Sequence, residues 1–421
     1  MNKRSCIIPA LTVLAIVSGG CSQATTNDMP KQEPVRNDPV TLKLFNQGAY
    51  LFPELQQKVE QVIKAKYPHI TLQYITGAKL EETVASGEVP DLFFTFWTQI
   101  PRLAKDFDIV EDMTPLIQKH QIDLNRFSPN FMEDVKKASG KGELLALPYY
   151  ANFFAIYYNK DLFDRFAVPY PTDGMTWDSM IDLAKRMSRI EGNTAYPGLD
   201  PSSLLWVSLQ FGAFHIDPAT NKASIHTEVW KKPFELMKTI LTLPGNEINT
   251  ASHFIKNQNV AMLLNPNILD QMVKVNFNWD LVQYPILKEN PNKYPAISVH
   301  SLFVSKTSKH KDQAMQVIDV FTSEEVQMWL SRQGKGSTLK SEAIKAAFGA
   351  DVPLLKNKNI AGALKSQPLA MPAVHQLETS ASTVTNKYFG SYLSGEMDLN
   401  SALRLADEEV NKLIEAEMQK K

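Results

Sequence analysis

The chain has 421 residues, 44% of them hydrophobic and 21% charged, with 44 basic against 45 acidic side chains and a formal net charge of −1. At roughly 100–200 residues per domain the length points to two domains, and the composition is that of a globular protein. The balance of charge excludes a bulk attraction to nucleic acid or anionic lipid, and no Lys/Arg cluster of the nucleic-acid kind interrupts it.

The chain opens on MNKRSCIIPALTVLAIVSGGCSQATT. Lys3 and Arg4 precede an apolar run from Cys6 to Val17, and Ser18, Gly19 and Gly20 lead into Cys21. A basic start, an apolar run too short for a stable span, and small residues after it mark a secretory signal. A cysteine directly after the small residues resembles a bacterial lipoprotein signal, in which the peptide is cut before Cys21 and the thiol is lipidated. Ser18 departs from that pattern, which usually has leucine there. The expectation is a signal peptide over 1–20 and an exported chain anchored by a lipid on Cys21 at the outer face of the cell membrane. An ordinary secretory signal cut nearby, or an uncleaved anchor, is the alternative. Cys6 and Cys21 are the only cysteines, so the mature chain has no internal disulfide and depends on a packed core. Cysteine-ligated metal and cysteine nucleophiles are excluded with it. Residues 22–39 hold almost no apolar side chain and read as a solvated tether, about 25 Å long on average as flexible coil.

Folded sequence begins at VTLKLF (40–45), an apolar-alternating strand. The next segment, FPELQQKVEQVIKAKYP, has Leu55, Val59, Val62 and Ile63 at helical spacing, with Pro68 as a stop. ITLQYI is a strand, KLEETVASG a short helix ending at Gly87, and PDLFFTFW a strand entered through Pro90. This alternation is the grammar of a mostly parallel sheet covered by helices. LPYYANFFAIYYNKDLF (147–163) then packs seven aromatic residues around Asn152. A buried strand accounts for the rings but not for the amide among them. The alternation resumes. TWDSMIDLAKRMSRI is a helix capped by Thr176, and SSLLWVSLQFGAF and TEVWKKPFELMKTILTLP are further helices. NVAMLLN, WDLVQYPI and ISVHSLFVSK are strands, and a helical pair broken near Thr322-Ser323 follows. The last stretch is mostly helical. GKGST (334–338) lacks the full spacing of a phosphate loop and reads as a plain loop.

LPYYANFFAIYYNKDLFDRF, PYPTDGMTWDSMIDLAKRMS, FIKNQNVAMLL and SLFVSKTSKHKDQAMQVIDVFTSEEVQMWL stand in this order along the chain. Together with PDLFFTFW and YLSGEMDLNSALRLADEEV they resemble the extracellular solute-binding proteins of ABC importers. The closest group is the carbohydrate-binding one that includes maltose-binding protein. The resemblance spans roughly residues 40 to 415. It implies an α/β fold of the two-lobed periplasmic-binding-protein type (type II, Venus-flytrap), with a hinge that the chain crosses more than once. Lobe one is expected over 40–149 plus 294–333, and lobe two over 150–293 plus 334–421. The run 147–163 then crosses the hinge, so that its residues face cleft as well as core.

A sugar presents hydroxyls at its rim and C–H groups on its faces, so a site for it needs flat rings and bidentate polar groups. Trp97, with Phe96 and Thr95, ends the third strand, where open α/β sheets place ligands; a core tryptophan is the competing reading. Asn46 and Gln47 follow the first strand, beside Gly48. Asn152 sits in the crossing run, where the resemblance implies a ligand-contacting polar residue. Tyr149 and Tyr150 point opposite ways in a regular strand, so one of them, with Phe153, competes between core and cleft. Trp206, Asn265 and Trp279 are candidates from lobe two, and His300 and Ser301 from the strand returning through the hinge. No cofactor, metal site or catalytic group is expected. The resemblance implies as partners a small carbohydrate, membrane permease subunits and the membrane through Cys21, with no nucleic acid and a monomeric state. The same fold binding a polyamine or ferric iron, or a role as ligand sensor, is the alternative. An exported glycoside hydrolase is the third reading; it needs two suitably spaced carboxylates, and no His-Glu-x-x-His or Gly-x-Ser-x-Gly motif occurs.

Overall fold

The computed structural model describes residues 38–246, 253–296 and 299–419. The expectations for the signal peptide, for Cys21 and for nearly all of the tether lie outside them. The apolar alternation of Val40–Asn46 buries Leu42 and Leu44 and makes it an inner strand of a five-stranded sheet. The order is Ile70–Ile75, Val40–Asn46, Leu92–Phe96, His300–Val304, Leu147–Tyr150. Val40–Asn46 is parallel to both its neighbours. The late strand His300–Val304 enters antiparallel between Leu92–Phe96 and Leu147–Tyr150. Helix Pro53–Lys66 covers this sheet with the four apolar residues expected of it, Leu55, Val59, Val62 and Ile63, all buried.

The second sheet differs from the expectation. Met262–Pro266, Phe154–Asn159 and Trp279–Gln283 form three antiparallel strands. An apolar run reads the same in either direction, so the sequence separates strand from loop but does not give the sense of pairing. Around this sheet pack helix Trp177–Met187, with Thr176 accepting the Ser179 amide as its cap, and helices Glu228–Leu241, Glu378–Ser394 and Leu399–Met418.

The aromatic run divides as its composition requires. Leu147–Tyr150 belongs to the first sheet and Phe154–Asn159 to the second, with Ala151–Phe153 between them. The buried apolar residues fall into two clusters, and the changeover comes at this point: Ala151 packs in the first and Phe153 in the second. Two boundaries differ from those expected at 294 and 334. Tyr294 packs in the second cluster, while Leu339 and Ile344 pack in the first. The cause is a set of bonds that fastens residues 336–339 to lobe one: Thr338 Oγ1 donates to the Pro148 carbonyl at 3.0 Å, and Phe127 bridges Leu339.

Two of the hinge segments touch. The Ala151 amide faces the Gly336 carbonyl at 3.5 Å. A Cβ on Gly336 would lie 1.9 Å from the Ala151 carbonyl oxygen, a rigid backbone atom. Gly336→Ala must therefore push the two crossings apart, and overpacking of this kind costs about 1–3 kcal/mol. Urea unfolding should show that loss; a variant as stable as the parent would mean that the crossings separate freely.

Candidate functional site

The carboxyl ends of Val40–Asn46 and Leu92–Phe96 lie beside the amino end of His300–Val304. Because His300 pairs with Phe96 on one side and Tyr150 on the other, their rings form a row across three strands. Ring centroids are 4.5 Å apart for Phe96–His300 and 4.9 Å for His300–Tyr150. Gly48, at φ 72°, turns the chain after the first strand, and Tyr50 then stacks on Tyr150 at 4.6 Å with an interplanar angle of 26°.

The Tyr50 amide donates to His300 Nδ1 at 2.7 Å. That bond makes Nδ1 an acceptor and leaves the proton of the neutral ring on Nε2. Nε2 is buried with no partner among the described residues. Burial pushes the imidazole down to about 3, so it stays neutral at ordinary pH. Asn46 Oδ1 and Ser301 Oγ are likewise buried without a partner among the described residues. Ser301 stands opposite Thr95 in register, and the Thr95 hydroxyl donates to Gln47 Oε1 at 3.4 Å. Lobe one thus holds a row of rings with a donor and acceptors left over, an arrangement that costs stability unless something outside the chain's own groups meets them.

From the hinge, Asn152 Oδ1 accepts from the Tyr150 hydroxyl at 2.8 Å, and the Asn152 carbonyl accepts from Tyr294 at 3.3 Å. In lobe two, Asn265 Nδ2 donates to Ser202 Oγ at 3.4 Å. Trp206 is half-buried, edge-on to Phe154 at 5.1 Å. Asp200, beside them, is fully buried; one of its oxygens accepts the Ser202 amide at 2.8 Å, and the other has no partner among the described residues. Burial pushes its carboxyl up to about 6.

One sequence candidate moves. Trp97 is not at the end of the strand, which stops at Phe96; it opens a single 3-10 turn, Trp97–Gln99, that rolls the indole into the core of lobe one. It is fully buried and offers no face to a ligand. Tyr149 is buried too, its hydroxyl donating to the Tyr50 carbonyl at 2.9 Å. Phe153 packs edge-on to Phe348 at 5.5 Å, and Trp279 packs in the core of lobe two. Sequence reasoning missed Tyr50, Asp200, Asp270 and Lys335. The Tyr50 hydroxyl donates to Asp270 of lobe two, and Lys335, in the third crossing, pairs with Asp270 and reaches Tyr50 at 2.8 Å. Burial draws the Lys335 ammonium down and Asp270 opposes it. Nothing local in the sequence links 50, 270 and 335; only the fold brings them together. Two cavities of about 220 and about 510 Å³ flank the hinge. Asn152 lines the smaller and Asp270 and Lys335 the larger, and the Phe96–His300 row lines neither. No group of His, Cys, Asp or Glu among the described residues is placed to hold a metal ion.

Residues 49–328 match the family model of the bacterial extracellular solute-binding proteins. The sn-glycerol-3-phosphate-binding periplasmic protein of Rhizobium meliloti is 22% identical over 322 residues, covering 70% of this chain and 73% of that protein. Among solved structures, an ABC substrate-binding protein from Listeria monocytogenes in complex with cycloalternan superposes with a TM-score of 0.73 at 18% identity, covering 90% of this chain and 99% of that one. A cyclic alpha-maltosyl-1,6-maltose binding protein from Arthrobacter globiformis gives 0.70 at 14% identity, with 89% and 99% covered. The sugar-binding protein MalE from Xanthomonas citri gives 0.69 at 18%, with 90% and 98% covered. At these identities the structures show a shared fold.

The buried imidazole and carboxyl act oppositely on stability. An unfolded histidine takes its proton near 6.5, whereas His300 resists until about 3. Stability therefore falls as pH drops below about 6.5, by about 2 kcal/mol between pH 7 and 5. Asp200, raised to about 6, takes its proton first in the folded chain and returns about 1 kcal/mol over the same window. In His300→Asn the loss on acidification from pH 7 to 5 should shrink by about 2 kcal/mol in urea titrations. An equal loss in parent and variant would mean that the imidazole ionises normally.

Proposed function

The chain belongs to the bacterial extracellular solute-binding proteins, and we propose from that premise that it captures a carbohydrate between its lobes and delivers it to the membrane permease of an ABC importer. The observation that carries this is the ring row Phe96–His300–Tyr150–Tyr50 at the strand ends, with His300 Nε2 and Asn46 Oδ1 left without a partner among the described residues. The half-buried rings of Phe96 and Tyr50 take the C–H faces of a sugar while the buried rings of His300 and Tyr150 hold them in place, and each unpaired group selects a hydroxyl, since leaving it bare costs about 1–3 kcal/mol. Asn46, Gln47 and Thr95 are the lobe-one polar contacts in this reading, and Asn152, Asn265 and Trp206 the opposing ones.

The charges near the row favour a neutral solute. Asp270 and Lys335 neutralise each other, and the imidazole is uncharged. A phosphate ester of the kind the Rhizobium meliloti relative is named for would want a free cation; a polyamine would want several free carboxylates, and of the acidic groups placed here only Asp200 has an oxygen without a partner among the described residues. The cyclic glucans named for two of the similar structures make an oligosaccharide the first ligand to try. Solute stabilises the closed arrangement by its preference for that state alone, so binding rather than turnover is the activity. A lipid on Cys21 and a tether to residue 39 would hold the exported, monomeric body beside its permease.

A thermal-shift screen against linear and cyclic maltooligosaccharides, monosaccharides, polyamines, ferric chelates and sn-glycerol-3-phosphate tests the reading. A ligand at 100 times its Kd adds about 2.7 kcal/mol to the folded state. We expect an oligosaccharide to shift the transition without being hydrolysed, and His300→Ala and Asn152→Ala to abolish the shift. A shift only with polyamine, iron or the phosphate ester would overturn the carbohydrate assignment and keep the family.

A further inference from the structure

Between the short pairing of Gln367-Pro368 with Lys293-Tyr294 and the helix Glu378–Ser394, the chain runs through LAMPAVHQL without a helix or strand. Both ends of this segment are tied to lobe two. The Leu369 amide donates to the Tyr294 carbonyl at 3.1 Å, and Glu378 meets His215 Nδ1 at 2.6 Å. Its middle is attached to lobe one. Met371 and Val374 pack against the apolar cluster of lobe one rather than that of lobe two.

Irregular backbone laid on another lobe needs partners for its polar groups, and helix Pro129–Lys137 supplies them one turn apart. The Met371 carbonyl accepts from Lys137 Nζ, and the Met371 backbone amide favours the charged form of the Asp134 carboxylate against the burial that raises its pKa. Met371 is thus held on both sides of its Cα, and the two holding groups are themselves paired at 3.0 Å. Asp134 is almost completely buried, at 2% exposure, so its charge depends on these partners. A second contact lies farther along, where Lys105 of helix Ile100–Phe107 donates to Gln376 Oε1 at 2.8 Å and pairs with Glu417 of lobe two at 3.4 Å.

We propose that residues 369–377 form a clasp, carried by lobe two and fastened on lobe one by Asp134 and Lys137, which holds the lobes together and sets how long a captured solute stays. Asp134 and Lys137 act as positioning residues through the Met371 peptide and need not touch the solute. The role in solute retention rests on the capture reading above; the clasp itself is tested without any solute.

Hydrogen exchange at the 369–377 segment and small-angle scattering of the full chain, on parent, Lys137→Met, Lys137→Arg and Asp134→Asn, decide the matter. In Lys137→Met we expect exchange at the Met371 amide to rise about tenfold and the radius of gyration to increase as the lobes part. Lys137→Arg should keep both near the parent values, because it restores the donor to the Met371 carbonyl. Asp134→Asn should give a smaller rise, since an oxygen acceptor for the amide is kept. Parent-like exchange and radius in Lys137→Met would overturn the proposal. Faster exchange with an unchanged radius would also overturn it, because the segment would then loosen without holding the lobes. Neither readout depends on which solute binds, so failure of the clasp and failure of the carbohydrate assignment are separable.

Discussion

A single buried amide ties together the segments on which the two-lobed arrangement depends. Gln327, on helix Glu324–Arg332, donates from Nε2 to the Tyr149 carbonyl at 2.8 Å and the Phe321 carbonyl at 2.9 Å. Its Oε1 accepts from Ser337 Oγ at 2.7 Å and the Thr338 amide at 3.0 Å. Both donors and both lone pairs are used, in a site with no solvent exposure. The first and third crossings are thereby held to one helix of lobe one. Removing the amide would strand several buried backbone groups at once, each at a cost of about 1–3 kcal/mol.

That rigidity is what makes the ring row possible. Tyr150 is the last residue of its strand before the hinge, and its position decides where His300 and Tyr50 stack. The row is built on strand ends of a buried sheet, so its unpaired polar atoms are presented with little freedom to turn away. The contacts across the lobes are of a different kind: Tyr50 with Asp270, Lys335 with Asp270, and the 369–377 segment on Asp134 and Lys137. These bonds are polar, which suits surfaces that must part and rejoin, since parted polar groups find water while parted apolar faces do not; the packing of Met371 and Val374 on the lobe-one cluster is the apolar part that resists parting.

The departures from the sequence expectations have separate physical causes. A tryptophan at a sheet's carboxyl end is well placed for a sugar face, yet one residue of difference in where the strand stops sends the Trp97 ring into the core. Phe96 and His300, next to it in register, keep the position on the row. The lobe-two sheet departs from the parallel pattern that the alternation suggests, because periodicity reports burial, not direction. The boundary at 334 that the resemblance implies moves because Thr338 and Leu339 are bonded into lobe one.

By itself, the sequence determined which segments are strands and helices, and that Asn46, Asn152, Asn265 and His300 follow or interrupt strands where polar groups are out of place in a core. These follow from local period and from residue chemistry, which need no partner to be read. The tertiary structure alone decided the direction of the second sheet, the burial of Trp97, the Tyr50–Asp270–Lys335 contact and the grip on Met371. Each of those depends on residues far apart in the chain meeting in space, and no local pattern encodes such a meeting.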